Sequence, residues 1–281
     1  MRRPLRAVAA VLTVLILSSC ASGAGQGGPG DDAPGEESAP GEDAPGPTAE
    51  GTGGRDPALS GDLTVFAAAS LHGVFEDLAA QFSTAHPQVQ VWFSFAGSSD
   101  LVAQLDAGAP ADVLATADES TMADALDAGS VQDEPVVFAT NALTLITPQG
   151  NPAGITGPAD LAGADLVVCA PQVPCGAATA RWAANLDLTL RPVSEEGSVT
   201  DVLGKVTSGQ AEAGLVYTTD VRTAGSAVEV IGLPGADDVV NRYPIAVTAR
   251  TEQADLARAW VDFVLGPQGR AALTEAGFGT P

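Results

Sequence analysis

The stretch LTVFAAASLHGVFEDLAAQF, from Leu63 to Phe82, changes its hydrophobic period partway along, and that change constrains the fold more than any other feature of the chain. Leu63, Thr64, Val65 and Phe66 form an apolar, β-branched run that predicts a short strand, and Ala67, Ala68 and Ala69 carry it to Ser70. From Leu71 onward, Val74, Phe75, Leu78, Ala79 and Phe82 recur at helical spacing and make one apolar face. Ser70 therefore stands where a strand hands over to a helix. Free N–H groups and the positive end of the helix dipole point outward there, a ready site for an anion. A serine at that position can equally be a plain helix cap, so Ser70 alone decides nothing.

The rest of the chain repeats the design. QVQVWFSF, from Gln88 to Phe95, alternates as a strand and delivers Ala96-Gly97-Ser98-Ser99 to a helical period that starts at Leu101. Val113 to Ala115 predicts a strand, Thr121 to Ala128 a short helix closed by Gly129. VVFATNALTLI, from Val136 to Ile146, is a long apolar run with Asn141 in its middle, long enough to cross between two lobes. Leu166 to Val168 predicts a buried strand, Cys169 to Gly176 a loop, and Ala177 to Leu186 a helix. Ser194 to Ser198 reads as a polar loop before a helix carrying Val199, Val202, Leu203 and Val206. AGLVY ends a further strand in Tyr217, and strands follow at Val228 to Leu233 and Tyr243 to Thr248. A helix from Leu256 to Leu265 and a short last helix close the chain. Strands alternating with helices predict an α/β protein with mostly parallel sheets.

The N-terminus belongs to export rather than to the fold. Arg2, Arg3 and Arg6 precede an apolar core from Ala7 to Leu17, too short to be a convincing membrane span. Leu17-Ser18-Ser19-Cys20 resembles a bacterial lipobox, which implies cleavage before Cys20 and lipid attachment to its sulfur. Residues 21–60 are Gly, Pro, Ala and acidic side chains with almost no large apolar residue, a flexible spacer that cannot offset its own ordering entropy. Removing signal and spacer leaves 27 acidic and 8 basic residues for folding. That balance, with no basic cluster, excludes a nucleic-acid surface.

Few side chains outside these junctions carry chemistry. Cys169 and Cys175 in an exported chain are most simply a disulfide, since no histidine neighbours them to make a metal pair. His72 sits on the first turn of its helix, and His86 precedes Pro87 at the helix end. Neither is placed as the partner of a nucleophilic Ser70, and no G-x-S-x-G elbow occurs, so a serine hydrolase is the weaker alternative. Trp92, Trp182 and Trp260 read as core or boundary residues.

Six separated motifs, TVFAAASL, FAGSSDL, GAPADV, VPCG, GLVY and YPIAVT, together resemble the molybdate-binding proteins of bacterial ABC importers, in the same order and across Asp62 to Phe278. The resemblance implies the two-lobed type II periplasmic-binding-protein fold, each lobe a mostly parallel sheet flanked by helices, with ligand in the cleft. It implies a first lobe of residues 61–140 and 241–281 and a second of 141–240. It also implies a ligand set: the hydroxyls of Ser70 and Ser98, with Ser99 adjacent as an alternative, the N–H groups of Cys175 and Val199, and the hydroxyl of Tyr217. The implied ligand is molybdate or tungstate, with sulfate as the alternative oxyanion. No cofactor, other metal or catalytic residue is implied, and the partner is an ABC permease. A monomer at the outer face of the cell membrane is expected.

Those residue types suit the ligand. A fully ionised tetrahedral oxyanion has only acceptors, so its best site offers only donors. Asp100 and Asp201 lie two residues past site positions, where they read either as first-turn acids that complement a helix dipole or as carboxylate acceptors. An acceptor there takes the proton that phosphate keeps at neutral pH, so the sequence leaves phosphate as a further oxyanion. Closure about a hinge near Phe138–Asn141 and Asn241–Pro244 is expected on ligand binding.

Overall fold

The computed structural model describes residues 59–132 and 134–281; the signal sequence, Cys20 and all but the end of the spacer lie outside them. Strand β1 (Ser60–Ala68) already includes Ser60, expected in the spacer. A single 3₁₀ turn, Ala69–Leu71, leads into α1 (His72–Ala85). The apolar face is buried as its spacing requires: Leu71, Val74, Phe75, Leu78 and Phe82 are all inside. Strand β2 (Gln88–Ala96) runs parallel to β1, with Leu63 opposite Val91. Helix α2 (Ser98–Asp106) returns the chain to β3 (Val113–Ala115), parallel to β1 on its other side. Helix α3 (Glu119–Asp127) is capped by Asp118, whose carboxylate accepts the Thr121 N–H at 2.9 Å.

Strand β4 (Val136–Pro148) is the crossing element. The second part of the chain then forms β5 (Leu166–Cys169), α4 (Pro174–Asn185), β6 (Ser194–Glu196), α5 (Val199–Thr207) and β7 (Ala213–Tyr217). After α6 (Thr218–Ala224) come β8 (Val228–Ile231), β9 (Val240–Val247), α7 (Ala254–Leu265) and α8 (Pro267–Ala276).

Three assignments differ from the sequence expectation. Helix α4 begins at Pro174, so Cys175 and Gly176 sit in its first turn rather than in a loop. Proline suits that position because the first helical N–H needs no partner. Ser194 to Glu196, a polar loop by its composition, pairs instead with β5 as β6. Helix α6 was not expected, because TTDVRTA has no apolar stripe to betray it.

The strands follow the order β2-β1-β3-β9-β4-β7-β5-β6, with β8 also on β4. Pairing is parallel where β1 meets β2 and β3, and where β5 meets β6 and β7. It is antiparallel wherever β4 or β9 takes part, so the sheet is mixed rather than mostly parallel. These are the strands that cross and return: Val136 to Ala142 of β4 pairs with β9, and Leu143 to Pro148 pairs with β7 and β8. Burial divides at the same place. Leu63, Val65, Phe75, Phe82, Phe138, Tyr243 and Trp260 belong to one core, whereas Leu143, Leu145, Val167, Trp182, Val202 and Tyr217 belong to another. Phe66 points to the opposite face of β1 and joins Leu101, Leu114 and Met122 in a third cluster. Trp92, unlike the two core tryptophans, is 54% exposed on the edge strand β2.

Candidate functional site

Four chain segments end at one small cavity. The turn after β1 brings Ser70, the start of α2 brings Ser98, the start of α4 brings Cys175, and the start of α5 brings Val199. Tyr217, the last residue of β7, completes it, so all five residues expected to bind ligand line the same cavity. Its volume, counted over positions open to the centre of a water-sized sphere, is about 20 Å³. That confines the occupant to a few atoms. Among the described residues, no Lys, Arg, Asp or Glu lines it.

Ser98 and Ser99 part company. Ser98 is buried and accepts the Ala117 N–H on its Oγ at 3.0 Å, whereas Ser99 donates to the Gln172 carbonyl at 2.7 Å and does not line the cavity. Ser70 Oγ lies 3.0 Å from the Tyr243 hydroxyl. No histidine partners it: His72 is exposed, 3.6 Å from Glu76, and His86 packs on the Phe82 ring. The nucleophile arrangement of a serine hydrolase is therefore not built here.

On the other side the donors are main chain. Cys175 and Val199 occupy first turns, where N–H groups have no partner within the helix. The Cys169–Cys175 disulfide, Cα atoms 5.6 Å apart, ties the start of α4 to the end of β5. Gly176 is needed in the same turn: a Cβ there would stand 1.9 Å from the Ala170 carbonyl oxygen. Ser198 caps α5, exchanging hydrogen bonds with Asp201. Asp100 and Asp201 line the groove outside the cavity with His72, in the first turns of their helices.

The two sides meet closely. A Cβ on Gly97 would lie 2.2 Å from the Gly197 carbonyl oxygen, so only glycine permits this approach.

Behind the cavity stands a polar layer that the sequence reading missed as part of the site. Asn241 donates to the Tyr217 hydroxyl at 2.7 Å, and Asn141 donates to the Tyr243 hydroxyl at 3.4 Å. The two asparagines face each other across the β4–β9 ladder. Burial pushes both phenols up from their ordinary values, so each keeps its proton as a donor. Asp220, which accepts the Tyr217 N–H at 2.8 Å, is pushed up to about 7 by the same burial. Asn141 in an apolar strand was the one visible signal of this layer, since a buried amide must have partners.

The arrangement is that of a small cleft lined by hydroxyl residues and by the first turns of two helices, in a two-lobed α/β fold. The family model for bacterial extracellular solute-binding proteins matches residues 63–279, and the chain belongs to that family. Within the curated relatives, the molybdate-binding protein ModA of Mycobacterium tuberculosis (strain ATCC 25618 / H37Rv) is 47% identical over 221 residues, covering 78% of this chain and 85% of its own. ModA of Escherichia coli (strain K12) is 30% identical over 230 residues, covering 78% and 89%. The solved periplasmic molybdate-binding protein of Azotobacter vinelandii has a TM-score of 0.67 at 24% identity, covering 78% of this chain and 99% of that one. That structural likeness speaks for the fold, which is the two-lobed fold the motifs implied.

Proposed function

We propose that this protein captures molybdate outside the cytoplasm and delivers it to an ABC permease, with tungstate as a second ligand of the same shape and charge. As an extracellular solute-binding protein it is a transport component, not an enzyme. The observation that carries the reading is the cavity itself. Ser70, Ser98, Tyr217, Cys175 and Val199 line it together, the last two in the first turns of their helices, with no charged side chain among the described residues that line it. Hydrogen bonds and helix dipoles then balance a dianion, each charge-assisted bond contributing about 1.5–3 kcal/mol. The relatives named molybdate-binding proteins support the choice of molybdate.

In this reading residues 61–140 and 241–281 form the first lobe, 141–240 the second, and β4 and β9 carry the hinge. The protein acts as a monomer, held at the membrane by lipid on Cys20. Among the described residues no helix is long and apolar enough to cross a membrane. Cys20→Ser releases the protein from the membrane fraction, and a variant still bound after carbonate washing refutes the anchor.

The test of the ligand is a thermal and calorimetric panel of molybdate, tungstate, sulfate and phosphate. Molybdate at about 100 times its dissociation constant stabilises the protein by roughly 2.7 kcal/mol. Sulfate binding more tightly than molybdate would make this a sulfate receptor, and no response to any oxyanion would end the proposal.

A further inference from the structure

We propose that Ser99 is a latch across the cleft: its hydrogen bond to the Gln172 carbonyl holds the two lobes together and slows the release of bound molybdate. The inference rests on the lobes and the ligand proposed above. Ser99 follows Ser98 in the first turn of α2, and neighbours on a helix point about 100° apart, so the two hydroxyls face different ways. Ser98 lines the cavity, whereas Ser99 does not, and Ser99 Oγ stands 2.7 Å from the Gln172 carbonyl oxygen. A carbonyl only accepts, so the proton of that bond is the serine's. Ser99 belongs to the lobe of residues 61–140 and Gln172 to that of residues 141–240. Neither lies on β4 or β9, the strands that carry the hinge, so opening about those strands parts the pair.

The acceptor is held in place as firmly as the donor. Gln172 sits in the turn between β5 and α4. There the Val173 N–H closes back onto the Ala170 carbonyl at 3.1 Å, and the Ala170 N–H is given to the Glu196 carbonyl at 2.8 Å. Pro171 and Pro174 restrict the backbone on either side. Val173, Pro174 and Cys175, which follow Gln172 directly, all line the cavity. A bond to the Gln172 carbonyl therefore ties the start of α2 to the start of α4. Two residues before Ser99, Gly97 packs on Gly197 of the other lobe, close enough that a Cβ would stand 2.2 Å from the Gly197 carbonyl oxygen. The glycine pair lets the lobes approach, and Ser99 supplies a bond that holds them there. A hydrogen bond made only when the lobes meet adds its whole net contribution to that arrangement. For a partly exposed bond this amounts to about threefold to tenfold in affinity.

The experiment compares the complete chain with Ser99→Ala, which removes the donor, and Ser99→Thr, which keeps it. Alanine suits a helix, so the fold is not at stake, and melting without ligand should match wild type. In calorimetric titration with molybdate, Ser99→Ala should bind about threefold to tenfold more weakly, and Ser99→Thr close to wild type. Hydrogen exchange at saturating molybdate separates a latch from local support of α2. Loss of the latch speeds exchange on the other lobe, in the turn at residues 170–173 and at the start of α5, by about the same threefold to tenfold. Loss of local support speeds exchange in α2 alone. Wild-type affinity in Ser99→Ala, or faster exchange confined to α2, overturns the proposal. A wild type that does not bind molybdate overturns the molybdate reading itself, and this inference with it.

Discussion

The two walls of the cavity present donors of different kinds. On the wall built by β1, β2 and α2, Ser70 and Ser98 offer side-chain hydroxyls. On the wall built by α4 and α5, Cys175 and Val199 offer main-chain N–H groups, and Tyr217 adds one hydroxyl from the end of β7. A hydroxyl donor disappears with the loss of one atom. A main-chain donor survives any substitution that leaves its helix in place, so the second wall yields only to changes of geometry.

The largest effect should come from keeping the walls apart. Gly97→Ala places a methyl carbon 2.2 Å from the Gly197 carbonyl oxygen, so the two walls are pushed apart although each stays intact. Molybdate affinity should drop by about a hundredfold or more, roughly 3 kcal/mol, with the melting temperature of the ligand-free protein unchanged. Wild-type binding by this variant would show that the walls need not meet at Gly97.

Deleting single donors should cost less. Ser70→Ala, Ser98→Ala and Tyr217→Phe each remove one hydroxyl and keep the backbone, so each should weaken molybdate by about 1.5–3 kcal/mol. Titration of all three with molybdate checks this. If all three bind like wild type, the side-chain half of the comparison collapses and the N–H groups alone hold the ligand.

The smallest effect on binding is expected from the disulfide. Replacing Cys169 and Cys175 together by Ser leaves the Cys175-position N–H where it was, so affinity should change by no more than about threefold. Stability should fall by about 2 kcal/mol in a denaturant titration, the loop-closure value for so short a ring. A loss of affinity as large as that of Ser98→Ala would mean that the bond, and not the helix start, positions the main-chain donor.

The hydroxyl wall was the more legible in the sequence. Ser70 and Ser98 stand at changes of period, from strand to helix, and a reader who follows the period finds them. The main-chain wall was legible only through family resemblance, because every residue has an N–H and nothing in the letters Cys175 or Val199 marks theirs as free. The error at the start of α4 has the same root. A helix whose first turn is Pro-Cys-Gly-Ala shows no apolar stripe until Ala178 and Trp182, the residues that pack. The short strand β6 escaped notice for a related reason. Ser194-Glu195-Glu196 has no strand-like composition and is held by its ladder with β5 and by Lys205, which pairs with Glu196 and keeps that carboxyl below its ordinary value.

By itself the sequence determined what local periodicity can determine: an α/β chain, the apolar face of α1, most of the strands, and the hydroxyl residues at two helix starts. Those follow from short-range spacing, in which each side chain's face is set by neighbours three or four residues away. Only the tertiary structure decided which of Ser98 and Ser99 looks into the cavity, and that β4 and β9 pair antiparallel. It alone brought Asn241 between Arg181 and Tyr217, residues 60 and 24 positions away along the chain. Which groups come to stand beside one another is set by packing between distant elements, and no spacing along the chain records that.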